Sequence, residues 1–309
     1  MISIKIHYLS IGLVIIIFCT VSLFGCGNSS ADKQTSAQTS SADIKAEQNK
    51  LEENKVYDYK VEELWCKRDS NNIFGEIYVP QGEQNQKFPT VIIGHGFTGK
   101  YYNNSEYAEI FAKNGIAAYL FDFCGGSNES KSDGKTTDMS IITEKEDMMS
   151  VYEQILKLDY VDTDNIFFMG ESQGGVVASL CASELLDEIR GLLLLYPAYS
   201  IPDMANDNFA DKDSVPDEYT IWGMQLGKVY YSDCLTFDVY EEIGKYKGPV
   251  IIYHGTEDQV VPYSYSEKAV KVFENAELIT ENGIGHGFEP ELKYSVAEDM
   301  TEFIKVNLK

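Results

Sequence analysis

Residues 167–177 read FFMGESQGGVV. An apolar run stops at Gly170, the polar Glu171, Ser172 and Gln173 follow, and Gly174 and Gly175 lead into a second apolar run. A short apolar run closed by glycine is the pattern of a strand buried on both faces. The second run extends to about residue 186 and predicts a helix. Ser172 therefore falls on an abrupt turn from strand to helix. Glycine two places before and two places after it leaves space for that turn and for close strand–helix packing. In sheets of this kind ligands bind at the carboxyl ends of the strands, so the turn presents the serine hydroxyl where a ligand would sit.

Working outward, the same alternation continues on both sides. VYDYKVEELWC (56–66) and NIFGEIYVP (72–80) predict an antiparallel pair joined by a turn at 68–71. TVIIGH (90–95), IAAYLFDF (116–123), RGLLLLYP (190–197), PVIIYHG (249–255) and AELITE (276–281) predict further strands. Helices are predicted over 102–114, with Gly115 as its cap, and over 142–158, 174–186, 263–274 and 290–306. Strands alternating with helices imply an α/β fold, a mostly parallel central sheet with helices on both faces. Residues 198–247 carry no such alternation. They predict an irregular cap, inserted between two late strands and lying over the strand ends.

Gly-x-Ser-x-Gly in a strand–turn–helix setting is the arrangement that holds a nucleophilic serine exposed above a sheet. A serine hydroxyl attacks only when a base takes its proton. The chain has four histidines: His7, His95, His254 and His286. In this arrangement the parts follow the chain order Ser, acid, His, and His286, after the last strand, is the candidate that leaves room for an acid after Ser172. Asp258 is the predicted acid, a short turn beyond the strand 249–255, where it can orient the imidazole and stabilise its charged form. Glu257 should face away. Asp233 and Asp238, in the cap, and most other carboxylates are expected on solvated surfaces. A developing oxyanion needs donors. The backbone N–H of Gln173 and that of Phe97, in the glycine-bounded loop HGFTG (95–99), are the candidates. His95 and His254 are expected to brace their loops.

Cysteine spacing matches no zinc pattern, and no metal or organic cofactor is implied. Cys66, Cys124, Cys181 and Cys234 are expected to be buried as small hydrophobes.

A length of 309 residues, 44% of them hydrophobic, suits one large domain. A net charge of −24 repels phosphate backbones and argues against nucleic acid as a partner. Residues 1–25 have one cation, Lys5, then an apolar stretch ending in LFG before Cys26. This resembles a bacterial lipoprotein signal, which implies cleavage before Cys26 and a lipid on its thiol; an uncleaved membrane anchor is the other reading. Residues 26–55 are polar and rich in Ser, Thr, Gln and Ala, the composition of a flexible tether, so the folded domain is expected over 56–309. Either reading predicts a protein outside the cytoplasm, and the first predicts lipid anchoring to the bacterial cell membrane.

HGFTG, the FDF strand end at 121–123, SDGKTTDMSIITEKED (132–147), GESQGG (170–175), HGTEDQVVPYSYSEKA (254–269) and IGHGF (284–288) together resemble the α/β-hydrolase superfamily. Within it they are most similar to bacterial feruloyl (cinnamoyl) esterases, over about residues 72–308. The resemblance implies a triad of Ser172, Asp258 and His286, oxyanion donors at Phe97 and Gln173, and small-molecule esters as substrates. Two positions depart from the pattern: Glu171 stands where many relatives have His, and Cys124-Gly125-Gly126 where Gly-His-Gly is common. The family sets specificity in its cap. Here the cap holds Trp222, Met224, Leu226, Tyr230, Tyr231, Phe237 and Tyr240, which either wall an acyl pocket, with Trp222, Tyr230 and Tyr231 as the candidate contacts, or simply pack the cap down. The expected activity is a serine carboxylic-ester hydrolase acting on small or aromatic esters. A peptidase- or lipase-like hydrolase on the same triad, or a non-catalytic substrate-binding lipoprotein, are the alternatives.

Overall fold

The computed structural model describes residues 55–309. The predicted signal, Cys26 and nearly all of the predicted tether lie outside the described residues.

Ten strands and eight α-helices follow one another in the described chain. β1 (Tyr59–Arg68) and β2 (Asn71–Pro80) form the predicted antiparallel hairpin, turning at Asp69 and Ser70. Then come β3 (Phe88–Gly94), α1 (Ser105–Lys113), β4 (Ala117–Phe121), α2 (Ile141–Ile155), β5 (Val161–Glu171), α3 (Gln173–Leu185) and β6 (Gly191–Leu195). After an insertion the pattern resumes with β9 (Val250–Gly255), α7 (Ser264–Val272), β10 (Ala276–Glu281) and α8 (Pro290–Val306). The main sheet has eight strands in the order β1-β2-β4-β3-β5-β6-β9-β10. β1, β2 and β4 pair antiparallel, and the run from β4 to β10 is parallel throughout.

The parallel strands read as continuous apolar runs because both faces are covered. Side chains alternate, so Ile92, Phe168, Leu192 and Leu194 pack on one face with α2, α3 and the insertion. Val91, Ile93, Met169, Leu193 and Leu195 pack on the other with α1 and α8. This is the α/β-hydrolase fold, with its strand carboxyl ends gathered along one edge.

The insertion departs from expectation. Residues 198–247 are not irregular but carry α4 (Ile201–Asn208), a hairpin of β7 (Glu218–Ile221) and β8 (Met224–Gly227), α5 (Val229–Cys234) and α6 (Val239–Ile243). Elements of four to eight residues are too short to be stable alone. Met224, Leu226, Val239 and Ile243 hold them by burial against the main core, a signal that local periodicity does not contain. Asp233 is also corrected: half-buried at the end of α5, it accepts the Ser140 hydroxyl at 2.6 Å and pins the cap to the first turn of α2. Asp238 is exposed and caps α6, accepting from the N–H groups of Tyr240 and Glu241.

All four described cysteines are buried and unpaired. Burial pushes each thiol above its usual range.

Candidate active site

β5 ends at Glu171 and α3 starts at Gln173, so one residue makes the turn. Ser172 takes φ 52° and ψ −115°, the left-handed region that a non-glycine residue enters only under constraint. The constraint is visible. The Ser172 N–H donates to the Leu195 carbonyl at 2.9 Å, and its own carbonyl accepts from Gly175 and Ala198 at 3.0 and 2.9 Å. A Cβ on Gly170 would overlap the Gly174 carbonyl, and one on Gly174 would overlap the Gly94 carbonyl. The two glycines around the serine are thus required by backbone crossing backbone.

Asp258 follows β9 and His286 follows β10, and the sheet brings both to Ser172. The His286 Nε2 lies 3.1 Å from the Ser172 Oγ, and the His286 Nδ1 lies 2.7 Å from the Asp258 Oδ2. With a carboxylate on its Nδ1, the ring carries its proton there and offers Nε2 as acceptor for the serine hydroxyl. Burial raises the carboxyl pKa of Asp258, but hydrogen bonds from His254, His286 and the Val261 N–H outweigh it and hold the group well below the usual carboxylate range. The acid therefore stays ionised beside His286. Glu257 is exposed, turned away as expected.

His254 does more than close a turn. Its Nε2 faces two acceptors, the Asp258 Oδ2 at 3.2 Å and the Val261 carbonyl at 3.0 Å. It must donate there, leaving Nδ1 to accept the Ser266 hydroxyl at 2.7 Å. His254 thus fixes the acid from below. The nearness of the two in HGTED hinted at contact, but which atoms meet depends on the fold. His95 braces its own loop. The Phe123 N–H donates to its Nε2 at 3.2 Å, so its Nδ1 donates to the Gly96 carbonyl at 2.8 Å. Burial depresses its pKa and keeps the ring neutral.

The two candidate oxyanion donors flank the serine. Gln173 opens α3, where an N–H has no acceptor within its helix. Phe97 stands inside the tight turn closed by the Gly99 N–H on the Gly96 carbonyl at 2.9 Å, a bond that leaves its own N–H unused. Gly96 lies against the nucleophile: a Cβ there would be 3.3 Å from the Ser172 Cβ.

A cavity opens over Ser172 on the cap side. Trp222, Tyr230 and Tyr231 all border it, with Phe97, Ile201 and Met204. The Phe97 ring lies 5.8 Å from that of Trp222 and 5.7 Å from that of Tyr230. Met224, Leu226 and Tyr240 instead pack the cap. Glu171 faces a separate, polar cavity with Thr98, Lys100 and Asn103. Burial raises its carboxyl pKa. Sequence reasoning missed a buried chain beneath the site. The Tyr230 hydroxyl donates to the Gln173 Oε1 at 2.7 Å, and the Gln173 Nε2 donates to the Glu144 Oε2 at 2.8 Å. Glu144 and Asp147, on α2, are exceptions to the expectation that most carboxylates are solvated: both are buried. No group of three or more His, Cys, Asp or Glu poised to hold a metal occurs among the described residues.

Comparison with known proteins bears on the family and the fold. The prolyl oligopeptidase family profile matches residues 102–309. The solved structure of Est1E from Butyrivibrio proteoclasticus with ferulic acid bound is 30% identical, with a TM-score of 0.72, covering 79% of this chain and 98% of that one. The bifunctional esterase/perhydrolase DCH of Acinetobacter calcoaceticus is 34% identical over 88 residues, which is 27% of this chain and only 32% of that relative. The mouse α/β-hydrolase domain-containing protein 10 shares the fold at 15% identity and a TM-score of 0.61, covering 79% of this chain and 99% of that one. The chain belongs to the prolyl oligopeptidase family of serine hydrolases, on an α/β-hydrolase fold.

Proposed function

We propose that the protein hydrolyses carboxylic esters of small or aromatic, cinnamoyl-type acids through an acyl-enzyme on Ser172. The observation that carries the reading is the Ser172–His286–Asp258 chain, at 3.1 and 2.7 Å, opening onto an aromatic-walled cavity. As the Ser172 Oγ attacks the ester carbonyl, His286 takes its proton on Nε2, and Asp258 stabilises the imidazolium. The tetrahedral oxyanion accepts from the N–H groups of Phe97 and Gln173. His286 then returns the proton to the leaving alcohol, whose C–O bond breaks. Water repeats the sequence, giving the free acid and Ser172.

Support for an aromatic acid comes from Trp222. It sits with Gly223 in the two-residue turn between β7 and β8, at φ 48°, where Asn or Gly is preferred and a bulky side chain is strained. The residue is 70% exposed and still borders the cavity. A strained, solvent-facing tryptophan over an apolar site is consistent with binding rather than packing. Est1E, the 30% identical relative, was solved with ferulic acid bound. The matched family is named for a peptidase, which keeps amide cleavage as a second reading on the same triad.

The lipoprotein-like signal supports a place outside the cytoplasm, held to the cell membrane through a lipid on Cys26. Cys26→Ser should then abolish lipidation and leave uncleaved precursor or protein shed to the medium. Normal membrane retention without lipid favours the anchor-helix reading instead. The substrate test is a panel of short- and long-chain nitrophenyl esters, methyl ferulate and an aminoacyl anilide. The expected order puts methyl ferulate and short acyl esters first. A higher kcat/KM on the anilide than on every ester overturns the esterase reading in favour of a peptidase.

A further inference from the structure

Glu144 is 1% exposed, on the first turns of α2, and Gln173 is likewise 1% exposed. Gln173 carries the proposed oxyanion N–H on its backbone and borders the acyl cavity. Its carboxamide is held at both ends, by the Tyr230 hydroxyl from the cap at 2.7 Å and by Glu144 from the core at 2.8 Å. The Met139 sulfur touches the same amide nitrogen at 3.7 Å. The first turn of α3 cannot rotate without breaking both bonds. Tyr230 cannot withdraw without leaving a buried amide oxygen unpaired, a loss of a kind that costs more than the bond itself contributes.

We propose that Glu144 is a positioning residue for ester hydrolysis, acting through Gln173 to aim the oxyanion N–H and to hold Tyr230 and the cap closed over the acyl cavity. The proposal rests on Ser172 being the esterase nucleophile.

Glu144 works here as a neutral acid. No cation pairs with it among the described residues, and Arg68 is committed to Asp147 at 3.1 Å. The other ionisable groups turned toward it are Asp147 on its own helix and Tyr230 on α5, and neither offers a positive charge. Burial, reinforced by Asp147 and opposed by the Gln173 bond, pushes its carboxyl up to about 8. A carboxylate formed there would be buried and unpaired, which proteins avoid by admitting water or moving the group. Ionisation should therefore loosen the chain it anchors.

The test is steady-state hydrolysis of p-nitrophenyl acetate between pH 5.5 and 9.5 by the wild type, Glu144→Ala, Glu144→Gln, Tyr230→Phe and the Glu144→Ala/Tyr230→Phe double variant. Thermal melts and fluorophosphonate labelling of Ser172 accompany each. Glu144→Ala should lower kcat 10- to 100-fold with little change in KM. Glu144→Gln keeps an acceptor for the Gln173 amide and should recover most of that loss. It should also lack the wild type's fall in kcat near pH 8. The double variant should be no worse than Glu144→Ala alone, because the chain is already broken. If Glu144→Ala fails to fold, the pH profile of Glu144→Gln decides. A kcat within twofold of wild type for Glu144→Ala, an unchanged alkaline limb in Glu144→Gln, or additive losses in the double variant overturns the proposal. A wild type that neither cleaves the ester nor labels at Ser172 fails differently: it removes the esterase reading, and this one with it.

Discussion

The carboxyl edge of the sheet and the cap above it follow different rules. β6 is buried at all five positions and β9 at all six, whereas β7 has no fully buried residue. Ser172, Asp258 and His286 hang from β5, β9 and β10, each braced by backbone or by a second side chain. The cap reaches the same site through a hairpin tip whose tryptophan is 70% exposed, and through Tyr230 and Tyr231. The difference separates two tasks. Bond-making atoms must be held closely: Ser172 and Asp258 follow strands buried in the core, and His286, after the edge strand β10, which has no buried residue, is fixed by its bonds to Asp258 and Ser172. In the proposed reading, acid recognition needs apolar area with less exact placement, and it falls to elements too short to hold themselves. A change at the sheet edge should therefore act on kcat and by orders of magnitude; a change in the cap should act on selectivity and by small factors.

The largest effect tests the sheet edge directly. Ser172→Ala should lower kcat on p-nitrophenyl acetate by on the order of 10⁶-fold while leaving the thermal midpoint near wild type, because the strained turn is fixed by backbone bonds that alanine keeps. A folded variant with turnover within tenfold of wild type would remove Ser172 from the mechanism. Asp258→Asn comes next. The carboxylate accepts from His286 and His254 on one oxygen and from the Val260 and Val261 N–H groups on the other; an amide has only one accepting atom, so one side meets a donor and the His286 ring loses its fixed tautomer. A loss of about 10⁴-fold in kcat is expected, and a loss under tenfold would show that His254 and the backbone can orient His286 without a carboxylate.

How far this division could be read from sequence follows from the same physics. The sheet edge was legible. Gly170 and Gly174 flank Ser172 because only glycine fits where backbones cross, and continuous apolar runs mark strands buried on both faces. The chain order of serine, acid and histidine, with His254 read as bracing its loop, then pointed to His286. The cap was half legible: its aromatic content stood out in residues 198–247, but elements of four to eight residues owe their form to tertiary burial. Trp222, Tyr230 and Tyr231 could be named, yet the split between pocket wall and packing needed coordinates. Glu144 was not legible. A glutamate in an amphipathic helix rich in charge reads as a solvated face, and nothing local reports that its partner is a glutamine 29 positions on.

The buried carboxyls of α2 give the comparison a pH axis. Glu144 is pushed up to about 8 and Asp147 to about 6, chiefly by burial. Below about pH 4 both folded and unfolded chains hold these protons, so they contribute nothing. Above that the unfolded chain ionises while the folded one stays protonated, and stability falls as pH rises until the folded groups also ionise. Thermal melts should show wild-type stability declining from pH 5 to 8 relative to Glu144→Gln, by on the order of 2–4 kcal/mol. A constant difference between the two proteins across that range would mean that Glu144 ionises normally in the folded state.

The smallest effect bears on the cap, and it separates binding from packing. If Trp222 walls the acyl cavity, its ring stacks on the phenyl group of an aromatic acid and finds nothing to stack on in acetate. Trp222→Ala should then lower kcat/KM for methyl ferulate more than for p-nitrophenyl acetate, by a gap of about 1 kcal/mol. The ring's exposure makes the alternative distinguishable. A packing residue at the hairpin tip would shift the thermal midpoint and depress both substrates alike. A binding residue should leave the midpoint unchanged, since the residue is exposed and alanine keeps the Cβ that strains the backbone at φ 48°. Equal losses on both esters with a lowered midpoint would move Trp222 from the pocket to the frame of the cap. A larger loss on acetate would contradict an aromatic acyl site on that side of Ser172.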